Sequence, residues 1–130
     1  MSILLKSPVD ALREYVRQPS VSADPNFNAG VKGAREFAQA RLEELGFEVN
    51  LISTPIHPII LATRGDPSWP RLVIYGHYDV QPPDPLDLWT SDPFNAVERD
   101  GRIYGRGAAD NKGPQIVHMS ALDRGVKDIP

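Results

Sequence analysis

The sequence predicts an α/β domain, a mixed sheet with flanking helices. Three observations carry that reading. Val31, Ala34, Phe37, Ala38, Leu42 and Leu45 recur at helical spacing, so one side of that segment is apolar. Leu72-Val73-Ile74-Tyr75 is a short unbroken apolar run, the pattern of a strand buried on both faces. A glycine-rich loop and a further helical pattern follow it, which gives β-turn-α order.

Taken in order, Ser7-Pro8-Val9-Asp10 is a helix start, with Ser7 as N-cap and Pro8 at the first helical position. Leu12, Tyr15 and Val16 form its apolar stripe, and Pro19 ends it. Residues 20–28 are a polar connection with a turn at Asp24-Pro25-Asn26. The second helix spans Val31 to Leu45 and closes at Gly46. Its Glu43-Glu44 pair belongs on a solvated face. Phe47 to Leu51 alternates as a half-buried strand, and Ile59 to Thr63 makes another. His57, between Pro55 and Pro58, is expected as an exposed loop residue. Residues 65–70 turn into the central strand, Leu72 to Tyr75. After a long proline-rich loop, Asp100-Gly101 joins two short strands as a hairpin. Trp89 and Phe94 are expected to pack that loop down. A last helix runs from Pro114 to Leu122, with Ile116, Val117, Met119 and Leu122 inward, and Gly125 ends it. His118 falls on its surface or at the core edge. No internal repeat and no low-complexity tract occurs.

Composition narrows the classes. The 130 residues suffice for one domain with a modest core. Hydrophobic content of 41% and charged content of 24% are ordinary for a globular protein. A net charge of −3 gives no basis for binding nucleic acid or an anionic membrane. The absence of cysteine excludes disulfides and thiolate metal sites. Ile3-Leu4-Leu5 is too short for a signal core or a membrane span. The expectation is a soluble, cytoplasmic chain. Proline is about twice as frequent as usual, and Pro82, Pro83, Pro85 and Pro93 gather in one loop.

The segments on either side of that loop hold the candidate chemistry. The apolar run discharges into Gly76-His77-Tyr78-Asp79, and Gly105-Arg106-Gly107-Ala108-Ala109-Asp110-Asn111-Lys112-Gly113 follows the hairpin. His77 and Asp79 are two apart, so in extended chain they share a side. Asp110 sits where a second loop enters a helix. An imidazole and carboxylates are ligand types that zinc takes. Ligands of open α/β sheets gather beyond the carboxyl ends of strands. Gly76 allows close backbone approach, and loops longer than about 12–15 residues tend to be functional. Gly105 and Gly107 do not make a phosphate loop, because Lys112 precedes Gly113 and not Ser or Thr. The plainer alternative is a loop-capping aspartate beside a surface histidine.

From Gly76-His77-Tyr78-Asp79-Val80-Gln81-Pro82, through Trp89 and Asp92-Pro93-Phe94, to Asp100-Gly101-Arg102-Ile103-Tyr104-Gly105-Arg106-Gly107 and Asp110-Asn111-Lys112-Gly113-Pro114, the chain resembles one family. It is the aminoacylase, glutamate carboxypeptidase and carnosinase-like dipeptidase family of dinuclear zinc peptidases and amidohydrolases. The resemblance implies that residues 1–130 are an amino-terminal fragment of a metallopeptidase catalytic domain. It implies His77 as ligand to one zinc and Asp110 as a carboxylate bridging two, with a cis peptide between Asp110 and Asn111. Asp79 is implied as the catalytic-site aspartate that orients His77. Two zinc ions are the implied cofactors of the complete enzyme, with manganese or cobalt as alternatives and none necessarily bound by this fragment. The implied substrates are small peptides or N-acyl amino acids, and the parent enzyme's homodimerisation is left open.

The family also has a Glu-Glu pair after the helix that follows Asp110, one residue as general base and one as zinc ligand, and a later histidine ligand. The sequence reaches Pro130 before either. The expectation is therefore hydrolysis of a peptide or amide bond by the parent enzyme, with the 130-residue chain inactive alone. Two other classes stay open: a non-catalytic remnant or binding module on the same scaffold, and a metal-free scaffold in which His77 and Asp110 only organise loops.

Overall fold

The computed structural model describes residues 7–125; Ile3-Leu4-Leu5 lies outside them. Helix α1, Pro8–Val16, begins as its sequence dictates: the Ser7 hydroxyl accepts a hydrogen bond from the Asp10 amide at 3.1 Å. Such a cap is worth about 1 kcal/mol. Its apolar stripe, Ala11, Leu12, Tyr15 and Val16, is buried.

Helix α2, Asn28–Glu44, starts three residues before the predicted Val31, because a 3₁₀ turn at Pro25–Phe27 leads straight into it. Val31, Ala34, Phe37 and Ala38 are buried, and Tyr15 stacks on Phe37 with ring centroids 4.5 Å apart. That stack fixes α1 against α2. Glu43 and Glu44 are exposed, and Glu44 pairs with Arg41.

Strands β1, Glu48–Ile52, and β2, Ile59–Thr63, form one antiparallel ribbon, with Glu48 opposite Thr63 and Ile52 opposite Ile59. Strands β3, Val97–Arg99, and β4, Arg102–Tyr104, form a second. Its turn residues Asp100 (φ 51°) and Gly101 (φ 70°) are both left-handed, as a tight hairpin that follows strand twist requires. The α/β class is met; its strands are two antiparallel ribbons plus one parallel bridge, Val21 to Val80.

The expected central strand is different. Leu72 to Tyr75 has no strand partner among the described residues, and Leu72, Val73 and Tyr75 are more than 80% exposed. An apolar run says that a surface suits burial, but burial needs a second surface, and the described residues provide none here. Leaving such side chains in water forgoes roughly 1.5–3 kcal/mol each.

Helix α3, Lys112–Gly125, begins two residues before the predicted Pro114, which falls in its first turn. Ile116 and Met119 are buried, in one cluster with α1 residues Leu12, Tyr15 and Val16, and Leu122 packs at its edge. Val117, expected inward, is 66% exposed. One residue on from Ile116 turns about 100° around the helix, away from that seam. His118 is exposed, as expected. His57 is half-buried rather than exposed, because the loop that carries it is held down: the Tyr78 hydroxyl donates to the Pro58 carbonyl at 2.6 Å. No described helix is long and apolar enough to cross a membrane.

Candidate metal centre

His77 and Asp79 sit just after the exposed run, and alternation puts both side chains on one side, with Tyr78 on the other. The loop from Gln81 onwards is packed down as its aromatic residues predict. Trp89 Nε1 donates to the Pro83 carbonyl at 2.7 Å, Arg106 covers the Trp89 ring at 5.5 Å, and Phe94 lies 6.1 Å from Phe27.

Asp110 is brought to His77 by the turn ahead of α3. Gly107 adopts φ +89°, and a Cβ there would lie 2.7 Å from Val80 Cγ1, so only glycine fits. The Lys112 amide then donates to the Gly107 carbonyl at 2.9 Å and closes the turn. The peptide between Asp110 and Asn111 is cis, as the resemblance implied. From the other side, Gly76 passes so close to α3 that a Cβ would meet Gln115 Cγ at 2.9 Å. Gln115 Nε2 donates to the His77 carbonyl at 2.6 Å, and its Oε1 accepts from the Tyr15 hydroxyl at 3.1 Å. α1, α3 and the His77 backbone are thereby joined through one amide side chain.

His77 Nε2 lies 2.9 Å from Asp110 Oδ1. His77 Nδ1 lies 3.1 Å from both the Asp79 carbonyl and Asp79 Oδ1. These three residues, with Val80, Gln81, Arg106 and Ala109 among their neighbours, line a cavity of about 280 Å³. A neutral imidazole carries one N–H. Assigned by its partners, that proton belongs on Nδ1, where Asp79 offers two acceptors. Nε2 then presents a lone pair to the Asp110 carboxylate. Two acceptors at that separation repel unless a proton or a cation lies between them. The His77 pKa reflects this: partial burial, the largest single influence, pulls it down, but the Asp110 carboxylate and the Asp79 carbonyl and carboxylate together raise it above the ordinary histidine value.

A nitrogen and a carboxylate oxygen sharing one side of a cavity are a donor pair that fits a zinc-like ion. Asp110 is 84% exposed and its Oδ2 has no hydrogen bond among the described residues, so a second oxygen is free. Asp79 is not: its Oδ1 faces His77 and its Oδ2 accepts from the Ser22 hydroxyl at 2.5 Å. Among the described residues no group of three or more histidine, cysteine, aspartate or glutamate side chains is placed to hold an ion. His57, His118 and Glu43-Glu44 lie elsewhere, with none of them lining this cavity.

In sequence Lys112 belongs to the motif after Asp110 and rules out a phosphate loop, and the structure gives it a place of its own. It is fully buried, donating from Nζ to the carbonyls of Tyr15 at 3.0 Å and Gln18 at 2.7 Å, with the Tyr15 ring centroid 5.0 Å away. Burial lowers its pKa to about 7, with the Asp79 charge opposing.

Comparison with known proteins agrees with the motifs. Residues 73–128 match Peptidase family M20/M25/M40. A Beta-Ala-His dipeptidase of Rattus norvegicus is 38% identical, over 88% of this chain and 26% of the relative. Human carnosine dipeptidase 1 superposes with a TM-score of 0.82 at 38% identity, over 89% of this chain and 27% of that one. The metallo-carboxypeptidase Sso-CP2 of Sulfolobus solfataricus gives 0.81 at 34% identity, over 98% and 28%. The family match, the relatives and the solved structures thus all place the similarity of this chain in peptidase family M20/M25/M40. The chain spans about a quarter of the length of the relatives it matches.

Proposed function

We propose that the protein containing this chain hydrolyses a peptide or amide bond in a small substrate, a dipeptide or an N-acyl amino acid. Residues 1–130 would be part of its catalytic domain, contributing His77 and Asp110 as metal ligands and Asp79 as the residue that orients His77. The observation that carries the reading is the placement of His77 between two carboxylates, with one ring nitrogen on Asp79 and the other facing Asp110 at 2.9 Å. The names of its relatives, a dipeptidase and a metallo-carboxypeptidase among them, support the reaction class.

Zinc ions, when bound, supply Lewis-acid polarisation of a carbonyl and make water nucleophilic near neutral pH. The chain's own residues supply the orientation. Asp79 holds the Nδ1 proton, so the Nε2 lone pair points into the cavity, and a carboxylate on the far nitrogen makes the ring a stronger ligand. Asp110 presents one oxygen beside Nε2 and leaves the other free, which suits a carboxylate shared between two ions. Neither Asp79 nor Asp110 is free to act as base once so engaged. The proton acceptor and the remaining ligands would come from beyond the described residues, so the 130-residue chain alone would bind zinc weakly and turn over nothing.

The test is turnover of dipeptides and N-acyl amino acids by the full-length protein before and after chelation. Activity lost with chelator and restored by zinc supports the proposal. Activity indifferent to chelator, or none on any such substrate with metal present, opposes it.

A further inference from the structure

The loop after α1 runs beside the residues that carry the site. The Ser20 hydroxyl donates to the Tyr78 carbonyl at 2.7 Å, the Val80 amide donates to the Ser20 carbonyl at 2.9 Å, and Val21 bridges Val80 in parallel. Ser20, Val21 and Val80 are buried, so this pairing is held on both sides. It puts Ser22 over Asp79, and the Ser22 hydroxyl donates to Asp79 Oδ2 at 2.5 Å.

We propose that Ser22 is a positioning residue of the site, which locks the Asp79 carboxylate and, through it, the His77 ring. The inference rests on the reading of His77 as a metal ligand. A carboxylate held at one oxygen only can swing about its terminal bond, a torsion with broad minima. Asp79 is held at both: Oδ2 by Ser22, and Oδ1 against His77 Nδ1. The plane of the carboxylate is then set by two opposed hydrogen bonds, both charge-assisted and roughly twice as strong as neutral ones. Without the hydroxyl, Oδ2 is left to solvent, which already reaches 40% of the Asp79 side chain. Asp79 can then turn its Oδ1 away, and the preference for the proton on Nδ1 weakens. The order of action is Ser22, Asp79, His77, Asp110, four residues drawn from three separate stretches of sequence.

The plain alternative is that Ser22 only ties down its loop. The experiment separates the two in the full-length protein with Ser22→Thr and Ser22→Val, which have the same shape and differ by the hydroxyl. The first readout is the imidazole ¹⁵N spectrum of His77 in metal-free protein. Ser22→Thr keeps the wild-type Nδ1 resonance, whereas Ser22→Val shifts it, because the carboxylate that accepts from Nδ1 is no longer held in place. The second is zinc affinity by chelator competition, with Ser22→Val weaker by about 10-fold, the lower part of the range for groups that orient a ligand. The third is Ser22→Val in an Asp79→Ala background, where it adds less than about 2-fold. Thr and Val variants that match each other in spectrum and affinity overturn the proposal, as does an undiminished Ser22→Val effect without Asp79. If His77→Ala itself leaves zinc affinity unchanged, the metal reading fails and takes this one with it. If His77→Ala abolishes binding while Ser22→Val does nothing, only this inference fails.

Discussion

His77 Nε2 and Asp110 Oδ1 stand 2.9 Å apart although 33 residues separate them in the chain. No local element joins them. The approach is built by Gln115 holding the His77 carbonyl, by the close passage of Gly76 over α3, and by the Gly107 turn that delivers Asp110. The site is thus a property of how α3 packs on the segment after Tyr75.

The first expectation concerns His77 and Asp79. In the full-length protein, His77→Ala lowers kcat/KM more than about 100-fold and depletes one metal more than the other. Asp79→Asn keeps the shape but changes the group facing Nδ1, and costs about 10–100-fold. Metal analysis beside steady-state kinetics checks both. A His77→Ala variant with wild-type turnover and full metal content contradicts the assignment.

A second concerns Lys112. Its folded pKa of about 7 lies below the unfolded value near 10.5, so between them the unfolded chain binds more protons. Stability therefore rises with pH across that window, is fully present above the unfolded value, and is lost as pH falls towards 7. Each pH unit crossed inside the window changes stability by at most about 1.4 kcal/mol. Urea unfolding of wild type and Lys112→Met from pH 7 to 9.5 checks it. The stability difference, wild type minus variant, grows with pH; a constant difference would refute the burial argument.

Gly107→Ala tests the turn. With φ at +89° and Val80 Cγ1 2.7 Å from the added methyl, the turn must shift. The expected loss is roughly 1–3 kcal/mol for the backbone alone, with weaker zinc binding because Asp110 moves with it. An unchanged melting temperature and zinc affinity would show that the turn does not need glycine.

The exposed run makes a prediction about solution behaviour. An exposed apolar segment with unpaired backbone groups is a template for association. The 130-residue chain should self-associate with rising concentration in sedimentation experiments, and Val73→Lys should reduce that by several-fold. Association of the short chain that ignores Val73→Lys would place the sticky surface elsewhere.

What could be read from the sequence divides along physical lines. Local chemistry was legible: the Ser7 cap, the Asp100-Gly101 hairpin and the helical stripe of α2 each depend on neighbours within four residues. The ordered motifs around His77 and Asp110 gave the family. The exposure of Leu72 to Tyr75 was not legible, because apolar content does not say what will cover it. Val117 failed because an apolar residue one step off a seam looks the same in sequence as one on it. Ser22, Gln115 and Lys112 were missed for a further reason. Their roles come from contacts 57, 38 and 97 residues away, with ordinary side chains that carry no local pattern. Two serines flanking a valine just after a predicted helix gave no hint that one of them would reach Asp79.

The most direct measurement is anomalous diffraction at the zinc edge from crystals of the full-length protein grown with zinc. The expected result is a peak about 2.0–2.2 Å from both His77 Nε2 and an Asp110 carboxylate oxygen, with Asp79 still on Nδ1. A protein active on dipeptides whose zinc peaks lie away from His77 and Asp110 would contradict it.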